Sequence, residues 1–110
     1  MSVEINIAKD YTKTPGGRFE KEGPNSGEDF REKILGPKFE EAMSSGTSLK
    51  VVLDGGYGYA TSFLEEAFGG LARKTKDERI LGIQIVSEEE PALVEKVAQY
   101  MKAALPKAKA

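Results

Sequence analysis

Val3-Glu4-Ile5-Asn6-Ile7 alternates apolar and polar residues, the period of a strand with one buried face. Pro15-Gly16-Gly17 supplies a turn and Arg18-Phe19-Glu20 reads as a short partner strand, so the first twenty residues predict a hairpin. Gly23-Pro24-Asn25 breaks the chain again. Ser26 fits a helix N-cap, with Asp29 three residues on beside the exposed first-turn N–H groups. Phe30, Ile34, Leu35, Phe39, Ala42 and Met43 follow at near-helical spacing. Pro37 would clash with the carbonyl four residues back, which predicts a kink or two short helices.

Leu49-Lys50-Val51-Val52-Leu53 is compact and rich in β-branched residues, the pattern of an inner strand. Past a glycine-rich loop, Phe63, Leu64, Ala67, Phe68 and Leu71 form the apolar face of a second helix. Gly69-Gly70 weakens that helix by about 1 kcal/mol per glycine and offers close approach to the sheet. Ile80 to Val86 reads as a third clear strand. Ser87 and Glu90 fit a capping box, with Pro91 in the first turn. Leu93, Val94, Val97, Ala98, Met101 and Leu105 then make the core stripe of a last helix. The order β-β-α-β-α-β-α predicts an α/β fold, a mixed four-stranded sheet with crossover helices. Residues 1–104 form one domain and 105–110 a frayed tail.

Composition narrows the chemistry. The 110 residues fit a single domain. There is no cysteine, hence no disulfide framework, thiolate nucleophile or thiolate-bound zinc, which suits a reducing, cytoplasmic setting. There is no histidine either, so imidazole bases, Ser-His pairs and imidazole metal ligands are excluded. The expectation is a protein that is not an enzyme and needs no metal or cofactor. A net charge of −2, with both signs interspersed, argues against nucleic acid as partner. No apolar run approaches the roughly 20 residues of a membrane span, and Met1-Ser2-Val3-Glu4 does not begin a secretion signal.

The most informative stretch is Asp54 to Glu66, where a strand ends, a loop follows and a helix starts. Gly55, Gly56 and Gly58 make the loop permissive, and Tyr57 and Tyr59 give it aromatic contact area at modest entropic cost, which suits a binding surface. The other reading tucks both rings against the sheet edge. Gly56 to Thr61 lacks the third glycine of a dinucleotide fingerprint and the Gly-Lys of a P-loop, although the helix N-terminus can attract a small anion. A small-molecule or nucleotide-binding domain is therefore the alternative reading, and a homo-oligomeric structural component a third. Ser62-Phe63-Leu64-Glu65 fits a capping box, so Ser62 is either a structural cap or a regulatory hydroxyl, with Thr61 beside it. Glu65 and Glu66 point about 100° apart on a helix and read as solvated charges or as a partner for Arg73 or Lys74. Asp54, at the strand end, is placed to accept loop N–H groups.

Gly17-Arg18-Phe19, Gly23 to Glu32, and above all Thr61 to Leu71 with Arg73 resemble the bacterial STAS-like domain family of unknown function. The resemblance implies a relative of anti-sigma-factor antagonists, domains that bind a histidine-kinase-fold serine kinase or ATPase and are switched by phosphorylation of a serine at a helix start. That position corresponds here to Ser62, or next to Thr61. Antagonists of that type carry Asp-Ser-Ser-Gly, where this chain has Ala60-Thr61-Ser62-Phe63. The resulting expectation is a non-enzymatic regulatory module whose protein partner meets Asp54, Gly56, Tyr57, Gly58, Tyr59, Ser62, Glu65 and Glu66.

Overall fold

The computed structural model describes residues 2–106. Three strands, β1 (Ser2–Asn6), β2 (Ser48–Val52) and β3 (Gln84–Val86), form one sheet in the order β1-β2-β3. Both pairings are parallel, with Ile5 opposite Val51 and Val51 opposite Ile85. Parallel neighbours need crossovers, and helices supply them. The first, α1, spans residues 27–44 as three joined pieces, Gly27–Phe30, Arg31–Leu35 and Gly36–Ser44. The second, α2, spans residues 61–75 as Thr61–Leu64, Glu65–Gly69 and Gly70–Thr75. The last, α3, is Ala92–Ala104.

In each of the two crossover helices the middle piece is a π-turn, one residue wider than the α-helix. The wide turn in α1 precedes Pro37, which sits in the first turn of the following piece and so does not end the helix. Ser26 caps α1 as its position predicts, its Oγ accepting the Asp29 N–H at 3.0 Å. Ile5, Leu49 and Val51 are buried on one face of the sheet, and the phenylalanines Phe30, Phe39, Phe63 and Phe68 join them in the core. On the other face Glu4 and Gln84 are exposed.

The expected hairpin and fourth strand do not form among the described residues, so the sheet is three-stranded and parallel, not mixed. Asn6 ends β1 by capping a single helical turn, Ile7–Asp10: its Oδ1 accepts from the Lys9 N–H at 3.1 Å, while Asp10 Oδ2 accepts from the Asn6 N–H at 2.7 Å. Further on, the Glu22 carboxylate accepts the N–H groups of Arg18 and Phe19 at 3.1 and 2.9 Å. Those are donors a strand at 18–20 would have offered to a neighbour.

The third strand is also shorter than Ile80 to Val86. Asp77 caps a tight turn, Glu78–Gly82, which buries Ile80 and leaves only Gln84–Val86 to pair. Ser87 Oγ does accept the Glu90 N–H at 3.1 Å, but it closes a turn ahead of α3, whose N-cap is Pro91. Leu105, the extended C-cap of α3, is half-buried against the core, and its N–H bonds to the Met101 carbonyl. Lys107 to Ala110, the remainder of the expected tail, lies outside the described residues.

Candidate functional site

The carboxyl ends of β2 and β3 carry the tyrosine loop. Asp54 does not serve its own loop: it accepts the N–H groups of Glu88 and Glu89 at 2.9 and 3.0 Å, with the Ser87 hydroxyl at 3.4 Å. Those backbone donors hold its carboxyl below the usual carboxylate range, the Glu88 N–H first. Glu89 returns the tie, its Oε1 accepting the Gly55 N–H at 2.9 Å. Bonds in both directions thus clasp the loop after β2 to the loop after β3.

Gly55 and Gly58 adopt φ of +97° and +117°, a region that side chains disfavour, and the chain between them turns outward. The Tyr57 N–H bonds to the Lys13 carbonyl at 2.9 Å. Pinned on both sides, the loop leaves the Tyr57 ring 84% exposed. Tyr59 does the opposite. Its ring packs beside Phe63 with centroids 5.8 Å apart, and its hydroxyl donates to the Leu53 carbonyl at 2.8 Å. Burial, then the charges of Asp54 and Glu89, push the Tyr59 phenol up to about 12. One tyrosine is the anchor and the other the display. Asp54, Gly56, Tyr57, Gly58 and Tyr59 line a cleft of about 290 Å3 together with Ser87, Glu89, Glu90 and Leu93.

Ser62 is not the helix cap. Ala60 holds that position with extended backbone and no side chain caps the helix, so Ser62 lies inside the first turn, half-buried, next to exposed Thr61. The capping box fails because its acid is occupied elsewhere: Glu65 is bound by arginines. Arg18 Nη1 donates to Glu65 Oε1 at 2.6 Å and to Glu66 Oε1 at 3.3 Å. Arg73 grips Glu65 with both nitrogens, at 2.6 and 3.1 Å. Arg31 Nη1 donates to Glu66 Oε2 and, at 3.1 Å, to the Glu66 backbone carbonyl within the π-turn. Arg73, then Arg18, hold the Glu65 carboxyl below its usual range.

Glu65 and Glu66 are therefore neither solvated charges nor part of the tyrosine surface. Glu66 is only 8% exposed. Both acids belong to a cluster of three guanidiniums and two carboxylates that joins the loop before α1, α1 itself and α2. The paired glycines make room for it: a Cβ on Gly70 would collide with the Arg31 guanidinium, and one on Gly69 with the Glu65 carboxylate. Their close approach is to this cluster and not to the sheet. Gly27 has a parallel role, since a Cβ there would overlap the Phe63 carbonyl where α1 and α2 touch. Arg18 and Arg31 went unread as partners because they are 47 and 35 residues distant in sequence from the acids they meet. Their one signal was position, inside the Gly17-Arg18-Phe19 and Phe30-Arg31-Glu32 segments that stand out in the sequence.

Elsewhere, Glu20, Glu28 and Glu32 bring one oxygen each within 4.8 Å of one another at the surface, but Glu28 already accepts the Glu20 N–H. No helix among the described residues is long and apolar enough to cross a membrane.

Fold and site together define a small α/β domain with a parallel sheet, whose most motif-rich segments converge on an ion cluster between two crossover helices. The chain belongs to the family described as STAS-like domain of unknown function (DUF4325), whose family model matches residues 26–90. That span starts at the Ser26 cap, ends beyond the Asp54–Glu89 clasp and contains Arg31, Glu65, Glu66 and Arg73. Neither the curated proteins nor the solved structures give a match to this chain.

Proposed function

We propose that this domain is a non-enzymatic regulatory module that works by binding another protein through the Tyr57 loop. The observation that carries this reading is the posture of one side chain. A tyrosine ring 84% exposed on a loop fixed by hydrogen bonds at Gly55 and Tyr57 is pre-organised contact surface, with little ordering entropy left to lose on docking. Its place at the carboxyl ends of the strands is where open α/β sheets receive their partners. Family membership supports a regulatory role, and the family's likeness to anti-sigma-factor antagonists suggests partner switching with a histidine-kinase-fold ATPase or serine kinase in a bacterial cytoplasm.

Ser62 is the phosphoacceptor in this proposal, with Thr61 as second candidate. Its hydroxyl is spared from capping, and the acids one turn on, which would oppose a phosphate, are neutralised by three arginines. A nucleotide at the glycine loop is disfavoured, because Asp54, Glu89 and Glu90 line the cleft and would repel phosphates.

Quantitative affinity capture from the native host tests the reading with four baits: the unaltered chain, Tyr57→Ala, Ser62→Ala and Ser62→Glu. The expected partner is depleted about 30-fold by Tyr57→Ala, the loss typical of an aromatic hot spot. It also separates Ser62→Glu from Ser62→Ala. Equal recovery on all four folded baits would refute the proposal.

A further inference from the structure

The cleft beside Tyr57 has a chemistry that selects what can dock there. Its lining combines aromatic and aliphatic side chains, Tyr57, Tyr59, Leu53 and Leu93, with three acids, Asp54, Glu89 and Glu90. At about 290 Å3 it falls just below the roughly 300–1,000 Å3 of pockets that enclose whole small molecules, and it suits one inserted side chain. Among the described residues no salt bridge involves Asp54, Glu88, Glu89 or Glu90. The acids of α2, by contrast, are fully matched by arginines. Asp54 spends both oxygens on the clasp, whereas Glu89 uses only Oε1. Lys13 touches the loop through its carbonyl but does not line the cleft.

We propose that this cleft receives an arginine side chain, so that the docking segment of the partner is basic. The inference rests on the reading of the Tyr57 loop as the docking surface. An arginine matches each part of the cleft. The planar guanidinium can stack on the face of Tyr57, the methylene stem covers Leu93, and the fork of N–H donors reaches the free carboxylate oxygens of Glu89 and Glu90. A lysine offers the charge without the plane or the fork. An acidic or phosphorylated segment meets repulsion from three carboxylates.

Panning a random twelve-residue peptide phage library against the intact 110-residue chain tests this, with the recovered peptides synthesised and mapped by amide chemical shifts. The expected peptides are enriched in arginine and perturb Tyr57, Gly58, Glu89 and Glu90. Their affinity falls about 30-fold in Tyr57→Ala, as at a hot spot, and about tenfold in the double variant Glu89→Gln/Glu90→Gln, about the cost of one charge-assisted hydrogen bond. Added salt weakens them further, and replacing the arginine by lysine weakens them as well. Peptides that map to the cleft without a basic residue overturn the arginine assignment and leave the docking surface standing. Peptides that map elsewhere, or none above background, overturn both.

Discussion

Arg31→Ala is the sharpest probe of what holds the two crossover helices together. The side chains of Arg31 and Glu66 are 11% and 10% exposed, so their charges are nearly withdrawn from water. Truncation removes the only cation on Glu66 Oε2 among the described residues and the donor to the Glu66 carbonyl. Glu66 Oε1 keeps Arg18 at 3.3 Å and Arg73 at 3.7 Å, which softens the loss. Arg31 Nε is buried without a partner, a penalty that the truncation relieves. Breaking a buried pair costs about 3–5 kcal/mol, and these two offsets select the lower end, about 3 kcal/mol. With a urea dependence of about 1.5 kcal/mol per molar, the unfolding midpoint followed by far-ultraviolet circular dichroism falls by about 2 M. The double variant Arg31→Met/Glu66→Met, which leaves no orphaned charge, stays within about 1 kcal/mol of the original. A midpoint shift under about 0.5 M for Arg31→Ala, or a double variant as unstable as the single one, would show that the cluster contributes little to holding the helices.

Gly27→Ala forces a methyl into the Phe63 carbonyl and must part α1 from α2, so it destabilises by about 1–3 kcal/mol where an ordinary helical glycine would gain from the change; thermal unfolding measures the sign. Ser62→Ala costs less than about 0.5 kcal/mol, because no cap is lost, against about 1 kcal/mol for a true N-cap. The Glu65 carboxyl is held low by Arg73 and Arg18, so the unfolded chain binds its proton first, near pH 4.3. Its contribution is present above that value and is lost as pH falls through the folded one; Glu65→Gln flattens the acid limb of stability against pH. Tyr59 is shifted the other way, from 10.0 to about 12, so its contribution is complete below pH 10 and fades as pH rises toward 12. Urea midpoints across that window decline less steeply in Tyr59→Phe.

Local signals in the sequence carried the helices and two of the strands well. Ser26, Asp29 and the apolar spacing of α1 and α2 act within a turn or two of themselves, and those elements stand where the pattern puts them. The missing hairpin shows where local pattern stops being decisive. Arg18-Phe19-Glu20 has the composition of a strand, but Glu22, three residues on from Phe19, captures two of its backbone donors. The corner was legible in part. Tyr57 and Tyr59 have the same side chain two residues apart, and only the packing of Phe63 and the Leu53 carbonyl decides which ring turns inward. Of the ion cluster only the Arg73–Glu65 pair, within α2, was legible from spacing; Arg18 and Arg31 reach the acids from segments that only the completed fold brings together.

The clasp between Asp54 and the loop before α3 bears on how durable the recognition surface is. Backbone amides hold the Asp54 carboxyl below its usual range, and the Gly55 amide is held in turn by Glu89. The latch joins the two loops from both sides, so the aromatic finger it steadies is held in one pose. Removing the Asp54 carboxylate would unfasten it, letting the finger swing and forfeiting the fit.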